Sequence, residues 1–417
     1  MSQLDKTCVI IGASHAGVNC AFALRKEGWQ GGIVLYDADP SLPYHRPPLS
    51  KAYLTSDAGI EKYLLKSAES YEKDNITLRL GIQVSAIDRT HKILTLNDGN
   101  TRSYDKLVIA TGARPIIPPT KGIKTAKNLY PLRNAADVQN IRQALESNEN
   151  KRVVIVGAGY IGLEIAASLK NRGAQVTVLE REDRVLARVT APEMSAYFQQ
   201  LHVSQGVEIV TNKNVVSIAP RNGFNTITCS DGTQYDADVI VMGVGIRVNL
   251  ELAEDAGLNI SNGICVNAAG QTNDEDIYAI GDCTLHYNPH YNRHIRLESV
   301  QNAVDQAKVT AAAICGKEVA YNAIPWFWSD QYDVKLQIVG LSSGYNELLI
   351  RREDDGRKFS SWYFKDDELL AVDAINNAKA YVIATKFIKE RRKVDKIKLT
   401  DASVALSPLN LSAESHD

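Results

Sequence analysis

The chain interleaves short apolar runs with glycine turns and helical periodicity, and it does so most clearly at two places. Thr7 to Ile11 is a short, largely β-branched run that predicts a buried parallel strand, and Val18 to Leu24 carries apolar positions at helical spacing. The same sequence of signals returns at Arg152 to Val156, where a strand runs through glycines into the helical pattern that ends near Leu169. Second strands follow each unit, at Ile33 to Tyr36 and at Gln175 to Leu179. Two further strands are predicted within "YDKLVIATGARP" (Tyr104 to Pro115) and "DEDIYAIGDC" (Asp274 to Cys283). Beyond residue 326 the pattern changes: Leu336 to Val339, Glu347 to Ile350 and Ser361 to Phe364 alternate and predict antiparallel strands. The polar tail, Asp401 to Asp417, is expected to be disordered.

The turns inside the two units carry chemistry. In the first, Gly12, Ser14 and Gly17 occupy the three glycine places of G-x-G-x-x-G, with His15 and Ala16 between them; in the second, Gly157, Gly159 and Gly162 complete the motif. The first place needs a tight turn, the second a close backbone approach to a pyrophosphate, and the third helix-on-strand packing. Serine adds only a CH2OH to the second place, so the first loop is altered without being disqualified. Its second strand closes on Asp37, Ala38 and Asp39, and either carboxylate is placed to take ribose hydroxyls. The second unit closes on Glu180, whose charge accepts from a free 2′-hydroxyl and repels a 2′-phosphate, selecting NAD over NADP; Arg181 beside it weakens that selection. Two such loops in one chain suggest two different nucleotides. The strand ends at Thr111 and Gly112, and at Gly281 and Asp282, support this, with Asp282 able to accept from a ribityl hydroxyl of a flavin and a following helix N-terminus facing the flavin's electron-rich edge.

Composition narrows the class. At 417 residues and 44% hydrophobic, the chain is long enough for two or three cores, and a net charge of −2 argues against a nucleic-acid binder. No apolar run approaches the roughly 20 residues of a membrane span, and no basic n-region opens the chain. It is read as soluble and cytoplasmic. The six cysteines lie far apart without a C-x-x-C pair, so neither structural disulfides nor a metal site is expected.

The chain resembles the flavoprotein reductases of two- and three-component oxygenases, within the glutathione-reductase-like superfamily. The resemblance rests on "LPYHRPPLSKAYL" (Leu42 to Leu54), "ATGARP", "GAGYIGLE", "VLARVTAPEMS" (Val185 to Ser195), "YAIGDC", "RLESVQNA" (Arg296 to Ala303) and "PWFWSDQY" (Pro325 to Tyr332). It implies an α/β protein with two Rossmann-like dinucleotide-binding domains of glutathione-reductase type, FAD on the first loop and NADH on the second, plus a C-terminal α+β domain. The layout it implies is an FAD domain of residues 1–117 and 248–325, an NAD domain of 118–247, and a C-terminal domain of 326–400. The family acid falls at Ala38, so Asp37 or Asp39 must substitute.

By the same resemblance Lys51 stands near flavin N5 with Glu164 as its acidic partner, and Trp328 packs near the isoalloxazine ring. Arg46, Val84, Ala110, Arg133, Gly245 and Val300 are expected on the cofactors, with Tyr160 and Ile161 lining the nicotinamide pocket. Disulfide reductases of the superfamily carry redox cysteines beside the flavin; here no cysteine lies between Cys20 and Cys229, and the corresponding loop offers Leu49, Ser50 and Lys51. Electrons would then leave singly to a docked protein, because flavin can accept a pair and release it one electron at a time.

The implied activity is NADH:ferredoxin oxidoreduction, passing electrons to a small acidic 2Fe-2S ferredoxin that feeds an oxygenase. Arg293 and Arg296, with His294, and Lys308 offer a local basic patch that would steer such a partner. A monomer or a homodimer is expected, with neither nucleic acid nor membrane as partner. The alternatives are a rubredoxin reductase, an NADH oxidase or monodehydroascorbate reductase, and a redox-sensing interaction protein like apoptosis-inducing factor.

Overall fold

The structure is a computed structural model and describes residues 5–353 and 356–413. Its contacts divide the chain into two compact units, the first comprising residues 1–46, 60–114 and 247–325 and the second residues 47–59, 115–246 and 326–417.

The first unit is built on a five-stranded parallel sheet in the order Ile277–Ala279, Lys106–Ile109, Thr7–Ile11, Gly32–Asp37, Ile76–Leu80. The central strand is apolar on both sides because both its faces are covered. Helices His15–Glu27 and Val300–Ile314 pack together over one face, around Val18, Leu24 and Ala311. On the other, Leu94 and Leu96 of a three-stranded antiparallel sheet meet Val9 and Ile109. The helix expected after Asp282 starts at Val300, and the strands Thr284–Asn288 and Arg293–Ile295 lie between.

The second unit repeats the plan with the order Glu208–Val210, Gln175–Leu179, Arg152–Val156, Val239–Met242, Leu129–Pro131, again parallel. It also contains a five-stranded antiparallel sheet, Trp326–Gln331, Val334–Gly340, Glu368–Ile375, Lys358–Lys365 and Glu347–Glu353 in that order, backed by helix Ala378–Glu390. The predicted alternations lie inside these longer strands.

The division differs from the expected layout: residues 118–246 and those from 326 onward, expected as separate domains, fall in one unit. Pro47–Gly59, expected with the FAD-binding part, falls in the second unit, where Ser168 Oγ donates to the Ser50 carbonyl at 2.6 Å and Arg142 donates to the Tyr53 carbonyl at 2.6 Å while lying 4.2 Å over the Tyr53 ring. The tail is not disordered over residues 401–413: Leu406 and Leu411 are buried, and Ser407 caps the short helix Pro408–Leu411. Residues 414–417 of the expected tail lie outside the described residues.

Candidate functional site

In the first unit the glycine loop turns sharply at Gly12, where φ is +105° and a Cβ would stand 2.2 Å from the Ala110 carbonyl oxygen. A Cβ on Gly17 would stand 1.8 Å from the Gly12 carbonyl, so glycine is sterically required at both places. Ser14 caps helix His15–Glu27 with extended backbone and no side-chain capping bond. Its Oγ turns aside and accepts from Arg46 Nε at 3.3 Å. The second place therefore tolerates serine, with hydroxyl and guanidinium presented together.

Asp37 closes this loop: its Oδ2 accepts from Ala13 N at 2.5 Å and its Oδ1 from Asp39 N at 2.8 Å. Asp39 accepts from Ser41 N at 2.9 Å and from the Tyr44 hydroxyl at 2.7 Å. Ser14, Asp37, Asp39, Tyr44 and Arg46 line one small cleft. His15 is buried against His45, with ring nitrogens 3.3 Å apart, and burial lowers the His45 pKa. A Cβ on Gly281 would meet that of Ala16 at 3.1 Å, which brings the Gly281–Asp282 turn to the loop. Thr111 and Gly112 are tied to Asn249 by bonds of 2.8 to 3.0 Å, and Val84 sits in the apolar core. Tyr44 and Asn249 were not singled out in the sequence: Tyr44 is a local partner of Asp39, five positions away, whereas Asn249 reaches Thr111 across 138 positions, which no local pattern marks.

The second unit repeats the loop. At Gly157 φ is +106° and a Cβ would stand 2.4 Å from the Gly243 carbonyl, and one on Gly162 would stand 2.1 Å from the Gly157 carbonyl. Nothing lies within 4 Å of the Cβ position at Gly159, so the cradle is open where a pyrophosphate must approach backbone N–H groups. Glu180 Oε2 accepts from Ala158 N at 2.6 Å and its Oε1 from Glu182 N at 2.9 Å. Arg181 is exposed and pairs with Glu182 at 2.8 Å. Ile161 is exposed at the start of helix Tyr160–Asn171, whereas the Tyr160 ring packs 5.0 Å from Phe327 and burial raises its pKa. Gly245, at φ +114°, accepts from Ile116 N at 3.0 Å, and Arg133 N donates to Asp137.

The same helix carries Glu164, 1% exposed, one turn past the cradle. Lys51 Nζ donates to its Oε2 at 2.6 Å, Ser50 Oγ donates to the same oxygen at 2.5 Å, and Ser329 Oγ donates to Oε1 at 2.6 Å. The strand Trp326–Gln331 explains the last contact, because alternation turns Phe327, Ser329 and Gln331 to one face and Trp326 and Trp328 to the other. The two tryptophan rings lie 5.6 Å apart, and Trp326 is 37% exposed. Lys51, Glu164 and Trp328 thus belong to one unit, and Ser329 is the partner that the sequence did not single out. Its signal was the period of two between Phe327 and Ser329.

Arg293 is exposed on strand Arg293–Ile295, Arg296 pairs with Glu298 at 2.5 Å, and Lys308 is 63% exposed beside Asp305. All six cysteines are free, and burial raises the pKa of Cys8, Cys20 and Cys283. Among the described residues no group of His, Cys, Asp and Glu could hold a metal ion, and no helix is long and apolar enough to cross a membrane.

Two parallel sheets with glycine cradles and acidic strand ends define a flavin- and pyridine-nucleotide-dependent oxidoreductase, and the chain belongs to the pyridine nucleotide-disulphide oxidoreductase family, whose model matches residues 6–307. Residues 326–410 match the reductase C-terminal domain. The chain is 41% identical over 411 residues to putidaredoxin reductase CamA of Pseudomonas putida, covering 97% of each, and 38% identical to a ferredoxin–NAD(P)+ reductase of Sphingomonas sp., covering 95% of each. Among solved structures it resembles the covalent putidaredoxin reductase–putidaredoxin complex, with TM-score 0.91, 41% identity and coverage of 96% of this chain and 97% of that one. It also resembles the ferredoxin reductase for the CYP199A2 system from Rhodopseudomonas palustris, with TM-score 0.93, 36% identity and coverage of 97% and 100%. The cofactors are FAD and NADH.

Proposed function

We propose that this protein takes hydride from NADH onto FAD and passes electrons singly to a small acidic 2Fe-2S ferredoxin that feeds an oxygenase, operating in the cytoplasm. The observation that carries this reading is the pair of Lys51 with the buried Glu164, beside Ser50, which stands where disulfide reductases carry a redox cysteine.

The residues fit both cofactors. In the first unit the Gly12–Gly17 cradle, Ser14 and Arg46 would hold the FAD pyrophosphate, and Asp37 its ribose. In the second, Gly157, Gly159 and Gly162 would hold the NADH pyrophosphate and Glu180 its adenosine ribose, favouring NADH because a 2′-phosphate would meet that charge. Bound flavin supplies hydride acceptance and one-electron release. The chain's part is electrostatic: Lys51 would offer a cation to negative charge on the flavin, and Glu164, held by three donors, keeps that cation in place. Tyr160 and Ile161 at the start of the helix would border the nicotinamide, and Trp328 would shield the flavin. The exposed Arg293 and Lys308, with Arg296, supply positive charge for docking.

The test is NADH-dependent cytochrome c reduction by the purified yellow protein with and without a 2Fe-2S ferredoxin encoded beside it. The expected result is a rate that depends on ferredoxin and is slow without it. Fast oxygen consumption without any protein carrier would overturn the reading in favour of an NADH oxidase.

A further inference from the structure

Beyond Ser329, a hydrogen-bonded chain continues through the interior of the second unit. Gln331 Nε2 donates to Ser329 Oγ at 3.2 Å, Gln331 Oε1 faces His202 Nε2 at 2.8 Å, and the Tyr332 hydroxyl lies 3.4 Å from His202 Nδ1. The direction of every link follows from the first. Glu164 Oε1 only accepts, so Ser329 must give it its single proton and accept from the Gln331 amide. That leaves the Gln331 oxygen toward His202, whose Nε2 must carry the proton and whose Nδ1 is left to accept from Tyr332. Each donor therefore points toward the carboxylate.

Ser329 and His202 are 0% exposed and Gln331 is 1% exposed. Burying such groups costs free energy that apolar residues of similar volume would avoid, so packing alone does not account for them. The Glu164 carboxylate supplies a reason. The torsion that turns a glutamate carboxylate is broad and sets no orientation by itself. Lys51 and Ser50 both hold Oε2, and among the described residues only Ser329 holds Oε1. Without that bond the carboxylate can rotate and carry Lys51 Nζ with it. Burial also lowers the pKa of His202, which keeps it neutral and preserves the direction of the chain.

We propose that Ser329, Gln331 and His202 are positioning residues for hydride transfer: they fix the Glu164 carboxylate and, through it, the Lys51 side chain. This rests on the reading that Lys51 serves the reduced flavin.

The experiment uses the FAD-loaded full chain. Ser329→Ala is expected to slow flavin reduction by NADH in stopped flow by about tenfold, to lower the flavin midpoint potential, and to leave the NADH dissociation constant unchanged. Ser329→Thr, which keeps the hydroxyl, should recover most of the rate and potential. In a Glu164→Gln background, Ser329→Ala should add less than about a further twofold, since the two act through one carboxylate. Gln331→Met should give a smaller loss of rate and potential, and it carries the test if Ser329→Ala does not retain flavin. Wild-type rate and potential in Ser329→Ala or in Gln331→Met, with Lys51→Met slow, overturn the positioning chain while leaving the role of Lys51 intact. A Lys51→Met enzyme reduced at the wild-type rate overturns that underlying reading instead.

Discussion

Asp37 and Glu180 hold the same place in the two glycine loops: each carboxylate accepts the backbone N–H of the residue after the first glycine, from Ala13 at 2.5 Å and from Ala158 at 2.6 Å, and each also accepts the N–H two residues further on. Backbone register makes the match, since Gly12 N bonds the Tyr36 carbonyl at 2.7 Å and Gly157 N the Leu179 carbonyl at 2.8 Å. Ala38 is thereby the counterpart of Arg181, and Asp37 is the better placed of the two acids left open by the sequence. Asp37→Ala is expected to weaken FAD retention on dilution and gel filtration more than Asp39→Ala, whose carboxylate is engaged by Ser41 and Tyr44. Equal retention by the two variants counts against Asp37.

Glu180→Ala should narrow the preference for NADH over NADPH by about tenfold, the equivalent of ~1.4 kcal/mol, by removing repulsion of the 2′-phosphate. Because Glu180 also holds the loop through Ala158 N, the KM for NADH should rise in the same variant. Arg181 is compensated by Glu182, so Arg181→Ala alone should change the ratio little. Steady-state kinetics with both nucleotides measure this, and a native enzyme that uses NADH and NADPH equally well is incompatible with the assignment.

Much of this was legible beforehand because local sterics write it into the sequence. Gly12, Gly17, Gly157 and Gly162 are glycines since a Cβ would strike a backbone oxygen, and strands such as Val153–Val156 are unbroken apolar runs since both faces are covered. What was not legible depends on long-range partners. Leu406 and Leu411 are too sparse to mark residues 401–413 as packed, and Pro47–Gly59 joins the second unit through Arg142, Ser168 and Arg172, which bond its backbone carbonyls and the Asp57 carboxylate across 84 to 118 positions of sequence. Ser329 showed its face through the period of two, but its partner, Glu164, lies 165 positions away.

Lys51 and Glu164 should behave as one element in kinetics. Lys51→Met removes the cation, and Glu164→Gln leaves it without its charged partner, so each is expected to slow reduction by NADH by about tenfold or more, if the interaction is worth ~1.4 kcal/mol. The double variant should cost distinctly less than the sum. Strictly additive losses in stopped-flow traces return both residues to an ordinary ion pair.

Docking and hydride transfer are expected to separate. Arg293→Ala and Lys308→Ala should lower ferredoxin reduction and flatten its dependence on salt while leaving NADH reduction of small dyes intact. Arg296→Ala should do less, because Glu298 already compensates its charge at 2.5 Å. Parallel losses in the dye and ferredoxin assays would indicate damage to the flavin site.

The last prediction concerns Asp373, buried in the second unit, where Thr190 Oγ1 and the Tyr363 hydroxyl each donate to its Oδ2 at 2.6 Å. Burial outweighs these two bonds and raises its pKa from 3.8 to about 6. A carboxyl whose folded pKa is raised holds its proton in the folded state after the unfolded chain has lost it, so between about pH 4 and pH 6 stability falls as pH rises, and it is level above that window. The displacement corresponds to up to about 3 kcal/mol. Asp373→Asn keeps an acceptor for Thr190 and Tyr363 and has no charge to desolvate. Its urea midpoint relative to wild type should therefore improve as pH rises through that window. A difference between variant and wild type that is the same near pH 4 as near pH 8 would show that Asp373 titrates alike in both states.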